Sequence, residues 1–163
     1  MTTSRPHSSP PSNRFASLEQ EVFLNLWRTY DRLGMLESEL FSRYDLTGQQ
    51  YNVLRLLQLK HPDAITTMSL AQRLVSRAPD ITRMLNKLEE RNLISRLRPD
   101  DNRRTVLISI TAPGLALLEQ IAAPLQECHE RQLGHMSKAD LKQFAALLKT
   151  ARLPHEETDS HWR

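Results

Sequence analysis

Nine of the basic residues of the chain are concentrated in one stretch, from Arg73 to Arg104, which holds only five acidic residues. This stretch carries a net charge of +4, whereas the remainder, with 13 basic and 14 acidic residues, carries −1. Clustered guanidinium and ammonium groups favour a polyanion as the binding partner. A basic helix face that is merely solvated would give the same count, so charge alone does not decide between the two interpretations.

Residues typical of catalysis or metal binding form no recognisable arrangement. Cys128 is the only cysteine, which excludes a disulfide framework and a cysteine-rich zinc site. His129 and His135 are six positions apart, a spacing that does not put them on one helix face for a metal. We therefore expect no catalytic residues, no metal and no cofactor. We expect Cys128, on an apolar helix face, to be a buried and unreactive thiol.

Composition indicates a globular protein. The 163 residues fit one domain with tails, and 39% of them are hydrophobic and 25% charged. No apolar run approaches the ~18 residues that span a bilayer. Residues 1–14 contain three prolines and four serines and no apolar stretch that could serve as a signal peptide. We therefore expect a disordered N-terminal tail and a cytoplasmic location.

Apolar spacing divides the rest of the chain into six helices and two strands. Helices are predicted over about 15–44, 47–60, 66–75, 80–91, 111–134 and 137–152, and strands over 94–98 and 105–110. The predicted helix caps are Thr47, either Thr66 or Thr67, Asp80, Thr111 and Ser137. Asn92 follows the fourth helix, where a left-handed residue is expected.

Two short helices at 66–75 and 80–91, joined by a tight turn, predict a helix-turn-helix. The hairpin that follows has a charged tip at residues 99–104 and is typical of a wing. Duplex DNA suits both parts, because a helix fits the major groove and an arginine can enter a narrow minor groove. We therefore predict a mainly α fold with a small β-hairpin wing, an α+β winged helix-turn-helix.

Three segments closely resemble the multiple antibiotic resistance regulator (MarR) family: residues 70–74 (LAQRL), 80–91 (DITRMLNKLEER) and 101–111 (DNRRTVLISIT). The resemblance is strong from about Leu46 to Leu118. It implies a homodimeric repressor or activator whose first and last two helices form the dimer interface, with aromatic acid effectors bound near the DNA-binding lobe. Asn92 stands where the family usually has glycine. No cysteine lies near the first helix, where the peroxide sensors of the family carry theirs, which argues against such a thiol switch.

The predicted organisation is a disordered tail (1–14), an N-terminal dimerisation helix (15–44), a winged helix-turn-helix DNA-binding domain (45–111), C-terminal dimerisation helices (112–152) and a frayed tail (153–163). The predicted function is transcriptional regulation, with repression favoured. A homodimer would bind a pseudo-palindromic operator in double-stranded DNA, be released by a small aromatic or phenolic effector, and have no membrane partner. The alternative is a winged-helix protein-interaction module without specific DNA binding.

The candidate DNA contacts fall into three groups. The recognition helix contributes Ser76, Arg77, Ala78, Pro79, Thr82, Arg83 and Lys87, with Arg77 or Arg83 reading guanine and Lys87 binding phosphate. The wing contributes Arg98, Asp101, Arg103 and Arg104, with Arg103 entering the minor groove and Asp101 holding its guanidinium. Thr67, Ser69 and Gln72 are candidates for phosphate, as is Arg96 on the first strand.

Trp27 and Tyr30 on the first helix are candidates for an effector pocket, on the resemblance. Aromatic residues at this spacing more often belong to a core or a dimer interface, so the pocket is the second interpretation.

Overall fold

A computed structural model of the chain describes residues 15–76, 80–100, 102, 104–158 and 160–162. The elements in chain order are α1 (Leu18–Ser42), α2 (Gly48–Gln58), β1 (Ile65–Thr66), α3 (Thr67–Arg73), α4 (Ile81–Glu90), β2 (Ile94–Leu97), β3 (Leu107–Ile110), α5 (Ala112–Leu133) and α6 (Lys138–Arg152). A 3₁₀ turn at Leu153–His155 follows. The helices and the small sheet confirm the predicted mainly α, winged-helix fold class. The chain divides into two compact units within α1, between Met35 and Leu36.

Side-chain caps begin five of the helices, at Thr47, Thr66, Asp80, Thr111 and Ser137. In each case the side-chain oxygen accepts a hydrogen bond from the backbone N–H three residues later, which satisfies one of the free donors of the first turn. For α3 the cap is Thr66 rather than Thr67, with the N–H of Ser69 donating at 3.1 Å. Asn92 has φ 56°, the left-handed conformation that the sequence predicted after α4.

The sheet has three antiparallel strands in the order β1-β3-β2. The two wing strands were predicted, but β1 was not. β1 is only two residues long, and it pairs Ile65 with Ile108 of β3. Two residues are too few to show the alternation by which a strand is recognised in a sequence.

The core of the second unit lies between α2, α3, α4, the sheet and α5. Its fully buried side chains are Val53, Leu54, Leu57, Leu70, Leu85, Leu88, Ile94, Ile108 and Ile121. Because α4 contributes Leu85 and Leu88 to this core, the opposite face of that helix is turned outward.

Two helices leave apolar surface uncovered within the single chain. In α1, only Leu40 and Phe41 are buried, and both belong to the second unit. No residue of α6 is buried. None of the helices in the described part of the chain combines the length and apolarity needed to cross a membrane.

The segment after α6, predicted as a frayed tail over 153–163, makes specific contacts in its described residues. The Arg152 guanidinium pairs with Glu156 at 3.0 Å, donates to the carbonyl oxygen of Trp162 at 3.0 Å, and lies 5.6 Å from the centroid of the Trp162 ring. Ser160 adds two hydrogen bonds, since its Oγ donates to Oε2 of Glu156 at 2.6 Å and accepts from the N–H of Trp162 at 3.1 Å. The frayed tail over 153–163 stays a prediction.

Candidate nucleic-acid interface

Helix α4 has two distinct faces. Met84, Leu85 and Leu88 are buried in the core. The exposed side chains of the helix are Thr82, Arg83, Asn86, Lys87 and Glu90. At 3.6 residues per turn, positions i, i+1, i+4 and i+5 share one face. The predicted contacts Thr82, Arg83 and Lys87 therefore stand together on one exposed surface.

Asn86 also belongs to this surface, although it was not among the residues predicted to contact DNA. It follows Thr82 by four residues, so helical spacing was the signal that could have identified it. An asparagine amide can both donate to and accept from the major-groove edge of adenine. We therefore add Asn86 to the candidate base contacts.

The turn that precedes α4 is tied to the first turn of α2. Ser76, which is exposed, accepts a hydrogen bond from the Gln49 amide at 3.2 Å through its Oγ. Arg77, Ala78 and Pro79 lie outside the described residues. Asp80 accepts from the N–H of Arg83 at 3.0 Å, so its carboxylate caps α4, as predicted.

Two of the backbone N–H groups that were predicted to bind phosphate at the start of α3 already have hydrogen-bond partners. The N–H of Thr67 donates to the carbonyl of Val106 at 3.3 Å, and the N–H of Ser69 donates to the Thr66 cap. Both amides are thus already bonded, so at these two residues only the side chains remain to meet a phosphate. Gln72 is exposed on this helix.

The described residues of the wing tip present two exposed arginines, Arg98 and Arg104. No carboxylate among the described residues forms an ion pair with either of them. Asp101 and Arg103 lie outside the described residues, so their predicted pairing stays a prediction. The chain turns at the tip through a hydrogen bond from the N–H of Asn102 to the carbonyl of Pro99 at 3.1 Å.

Arg96 has a different environment from its neighbours. Its Nε donates to Oε2 of Glu89 at 2.9 Å, and its Nη2 donates to the same oxygen. This pairing lowers the pKa of the Glu89 carboxyl and raises the pKa of the Arg96 guanidinium. The guanidinium that the sequence offered to phosphate is therefore occupied by a carboxylate of α4.

Trp27 and Tyr30 lie on an open apolar strip of α1, together with Phe23 and Leu26. The side chains of Trp27 and Tyr30 are 63% and 76% exposed. The Phe23 and Trp27 rings are 6.3 Å apart and tilted by 57°. Within the first unit this strip is an open surface and not an enclosed cavity. The effector pocket therefore stays a prediction.

Cys128 is 6% exposed on α5, and burial raises the pKa of its thiol. This agrees with the buried thiol that the sequence predicted. Within the described residues, no group of three or more His, Cys, Asp or Glu side chains converges as a metal site.

Comparison with known proteins identifies the family of the chain. The sequence model described as "MarR family" matches residues 46–106. The organic hydroperoxide resistance transcriptional regulator of Bacillus subtilis is 30% identical over 133 residues, which cover 82% of this chain and 88% of that protein. The crystal structure of a MarR transcription factor from Planctomyces limnophilus is 47% identical, with a TM-score of 0.68, and the match covers 84% of this chain and 99% of that one.

A third relative shares the fold. The structure of an Escherichia coli MarR mutant complexed with operator DNA is 24% identical with a TM-score of 0.72, over 83% of this chain and 99% of that one. The exposed basic face of α4, the wing beside it and these matches lead to one conclusion. The chain belongs to the MarR family of DNA-binding transcriptional regulators.

Proposed function

We propose that this regulator is a homodimeric repressor that binds a pseudo-palindromic operator and is released by a small aromatic effector. The main support for DNA recognition is that helix α4 has two different faces. One face buries Leu85 and Leu88 in the core, and the other exposes Thr82, Arg83 and Lys87. A helix anchored on one side and polar on the other can enter a major groove without unfolding the core.

The uncovered apolar surface supports the homodimer. Leu18, Phe23, Trp27 and Tyr30 are exposed on the described part of α1 in the first unit, and no residue of α6 is fully buried in the second. Surfaces of this kind are costly to leave in water and are typical of interfaces between subunits. A dimer then presents two recognition helices to half-sites about 10–10.5 base pairs apart, and a site that overlaps a promoter is closed to polymerase.

The aromatic strip of α1 supports an effector of matching chemistry, a flat ring that stacks on Trp27 or Tyr30. Its test is the displacement of the protein from operator DNA by aromatic carboxylates. The role in organic hydroperoxide resistance named for the Bacillus subtilis relative is not proposed for this chain, because the only cysteine of this chain is buried and the pKa of that thiol is raised.

The decisive experiment selects operator fragments from the source genome with purified protein and then measures binding to the synthetic duplex by fluorescence anisotropy. Arg83→Ala should weaken specific binding by about 5- to 150-fold, the loss of one base contact. Lys87→Ala should weaken specific and non-specific binding alike and reduce the slope of log K against log salt by about 0.9, the loss of one phosphate contact.

Lys60→Ala is the matched control, since it removes one exposed positive charge just after α2, outside the candidate DNA contacts and the predicted dimerisation helices. It should leave both quantities unchanged. If the wild-type protein prefers no duplex sequence over random DNA, the proposed function is wrong and the protein-interaction module becomes the better interpretation.

A further inference from the structure

The ion pair between Glu89 and Arg96 joins two elements that would both meet DNA. Glu89 is in the last turn of α4, and Arg96 is in β2, the first strand of the wing. Two nitrogens of the Arg96 guanidinium donate to one carboxylate oxygen of Glu89. The Glu89 side chain is 38% exposed and the Arg96 side chain is 25% exposed. The pair is therefore a partly shielded contact between the recognition helix and the wing.

Each of the two charges is unfavourable at its position in its own helix or strand. Arg96 lies on the same side of β2 as Ile94, and its partner across the sheet is Ile108, which is fully buried. A charged head on this inner side needs a counter-charge. Glu89 is near the C-terminal end of α4, where the helix dipole disfavours a negative charge. The opposite charge of the partner stabilises each residue at its otherwise unfavourable position.

The pair braces the wing strand beyond the point where the core already holds it. At the base of β2, the N–H of Leu93 donates to the carbonyl of Leu88 at 3.0 Å, and Ile94 is buried. Arg96 lies two residues further toward the wing tip, about 7 Å along an extended strand. Leu97, the next residue, is 65% exposed, so Arg96 is the last inward-facing anchor of β2 before the tip.

We propose that Glu89 and Arg96 are positioning residues that set the wing against the recognition helix, so that both elements fit one duplex at the same time. This inference rests on the proposed DNA-binding function. It assigns Arg96 to Glu89 instead of to a phosphate. The wing tip continues from β2 through the exposed Arg98, so a strand that is released from α4 moves its arginines away from the groove.

The test compares Glu89→Gln with Glu90→Gln on the selected operator duplex. Both changes remove one negative charge from the same turn, but Glu90 is exposed and pairs with no basic side chain of the described residues. Electrostatics alone predicts tighter DNA binding for both variants. Positioning predicts that Glu89→Gln weakens binding at least about fivefold, the lower bound for the loss of one base contact, while Glu90→Gln does not weaken it.

Two further variants separate positioning from other roles. Arg96→Gln should weaken binding at least as much as Glu89→Gln, because it removes a positive charge as well as the pair. The salt slope should be unchanged, because no phosphate contact is lost. The double swap Glu89→Arg with Arg96→Glu keeps the net charge and should recover most of the affinity. Thermal unfolding and sedimentation of each variant, measured alongside, establish that it is folded and retains the assembly state of the wild-type protein.

Three results would overturn the inference: Glu89→Gln binds as tightly as Glu90→Gln, Arg96→Gln lowers the salt slope by about 0.9, or the folded swap fails to recover affinity. A wild-type protein that binds no specific duplex would instead overturn the proposed function itself. The two failures are thus distinguishable in one set of measurements.

Discussion

Cys128 shows how the environment of a single residue limits its chemistry. Its thiol is 6% exposed on the inner face of α5, and burial raises the pKa while nearby Glu37 adds to the shift. The thiolate is the reactive form, and a raised pKa keeps the thiol protonated at neutral pH. Burial and charge both act against reaction at this residue.

We therefore expect native Cys128 to react slowly with a disulfide reagent at pH 7, and to react at the rate of a free thiol once denaturant unfolds the chain. In the native protein the rate should rise only at a more alkaline pH than for an ordinary cysteine. Stopped-flow absorbance with and without denaturant measures both rates. Rapid, complete labelling of the folded protein at pH 7 would contradict the assignment of an unreactive thiol.

Asp80 illustrates which residue roles a sequence can predict. Its cap of the Arg83 N–H spans three residues, so the chemistry is contained in a short local pattern. The pairing of Glu89 with Arg96 spans seven residues and depends on the angle between a helix and a strand. Arg96 was consequently predicted as a phosphate ligand, because its charge was visible in the sequence and its partner was not.

At the scale of elements, the recognition helix is also tied to the end of α1. The Arg91 guanidinium, just beyond α4, donates to the carbonyl of Asp45 at 2.6 Å and to that of Tyr44 at 3.1 Å. These carbonyls belong to the turn that leaves α1, where Asp45 has φ 52°. One arginine therefore stabilises the turn after α1 and fastens it to the end of α4.

Replacing Arg91 by Ala should lower the free energy of unfolding by about 1 kcal/mol, because two charge-assisted hydrogen bonds at an exposed site are lost. Urea denaturation monitored by circular dichroism measures the change. Lys60→Ala, which also removes an exposed positive charge, should leave stability within about 0.5 kcal/mol of the wild type. Equal stability of the two variants would show that the Arg91 contacts contribute nothing to the fold.

The elements themselves were predictable to the extent that their signals are local. The ends of α2, α5 and α6 follow from caps and apolar spacing that lie within each segment. The strand β1 and the Arg91 contacts were not predictable, since β1 exists only through its pairing with β3 and Arg91 reaches residues more than 40 positions away. Long-range partners have no signature in a single sequence.

At the scale of the whole molecule, charge and apolar surface are separated along the chain. The net positive charge lies between Arg73 and Arg104, which contains α4 and the wing. The uncovered aromatic residues, among them Trp27 and Tyr30, lie in the first unit. One part of the chain is thus suited to a polyanion and another to an apolar partner, which a second copy of the chain supplies in the proposed dimer.

We expect the wild-type protein to sediment as a dimer at micromolar concentration and Trp27→Asp to shift it toward monomer, because a carboxylate would be buried in the apolar interface. The same substitution should lower operator affinity, because a dimer binds two linked half-sites at a high effective concentration and a monomer binds only one.

Leu59→Asp is the matched control, as Leu59 is 68% exposed in the turn after α2 and outside the strip. Sedimentation velocity over a concentration series, with anisotropy on the same samples, gives both quantities. A wild-type monomer, or a Trp27→Asp protein that dimerises like Leu59→Asp, would show that α1 does not form the interface.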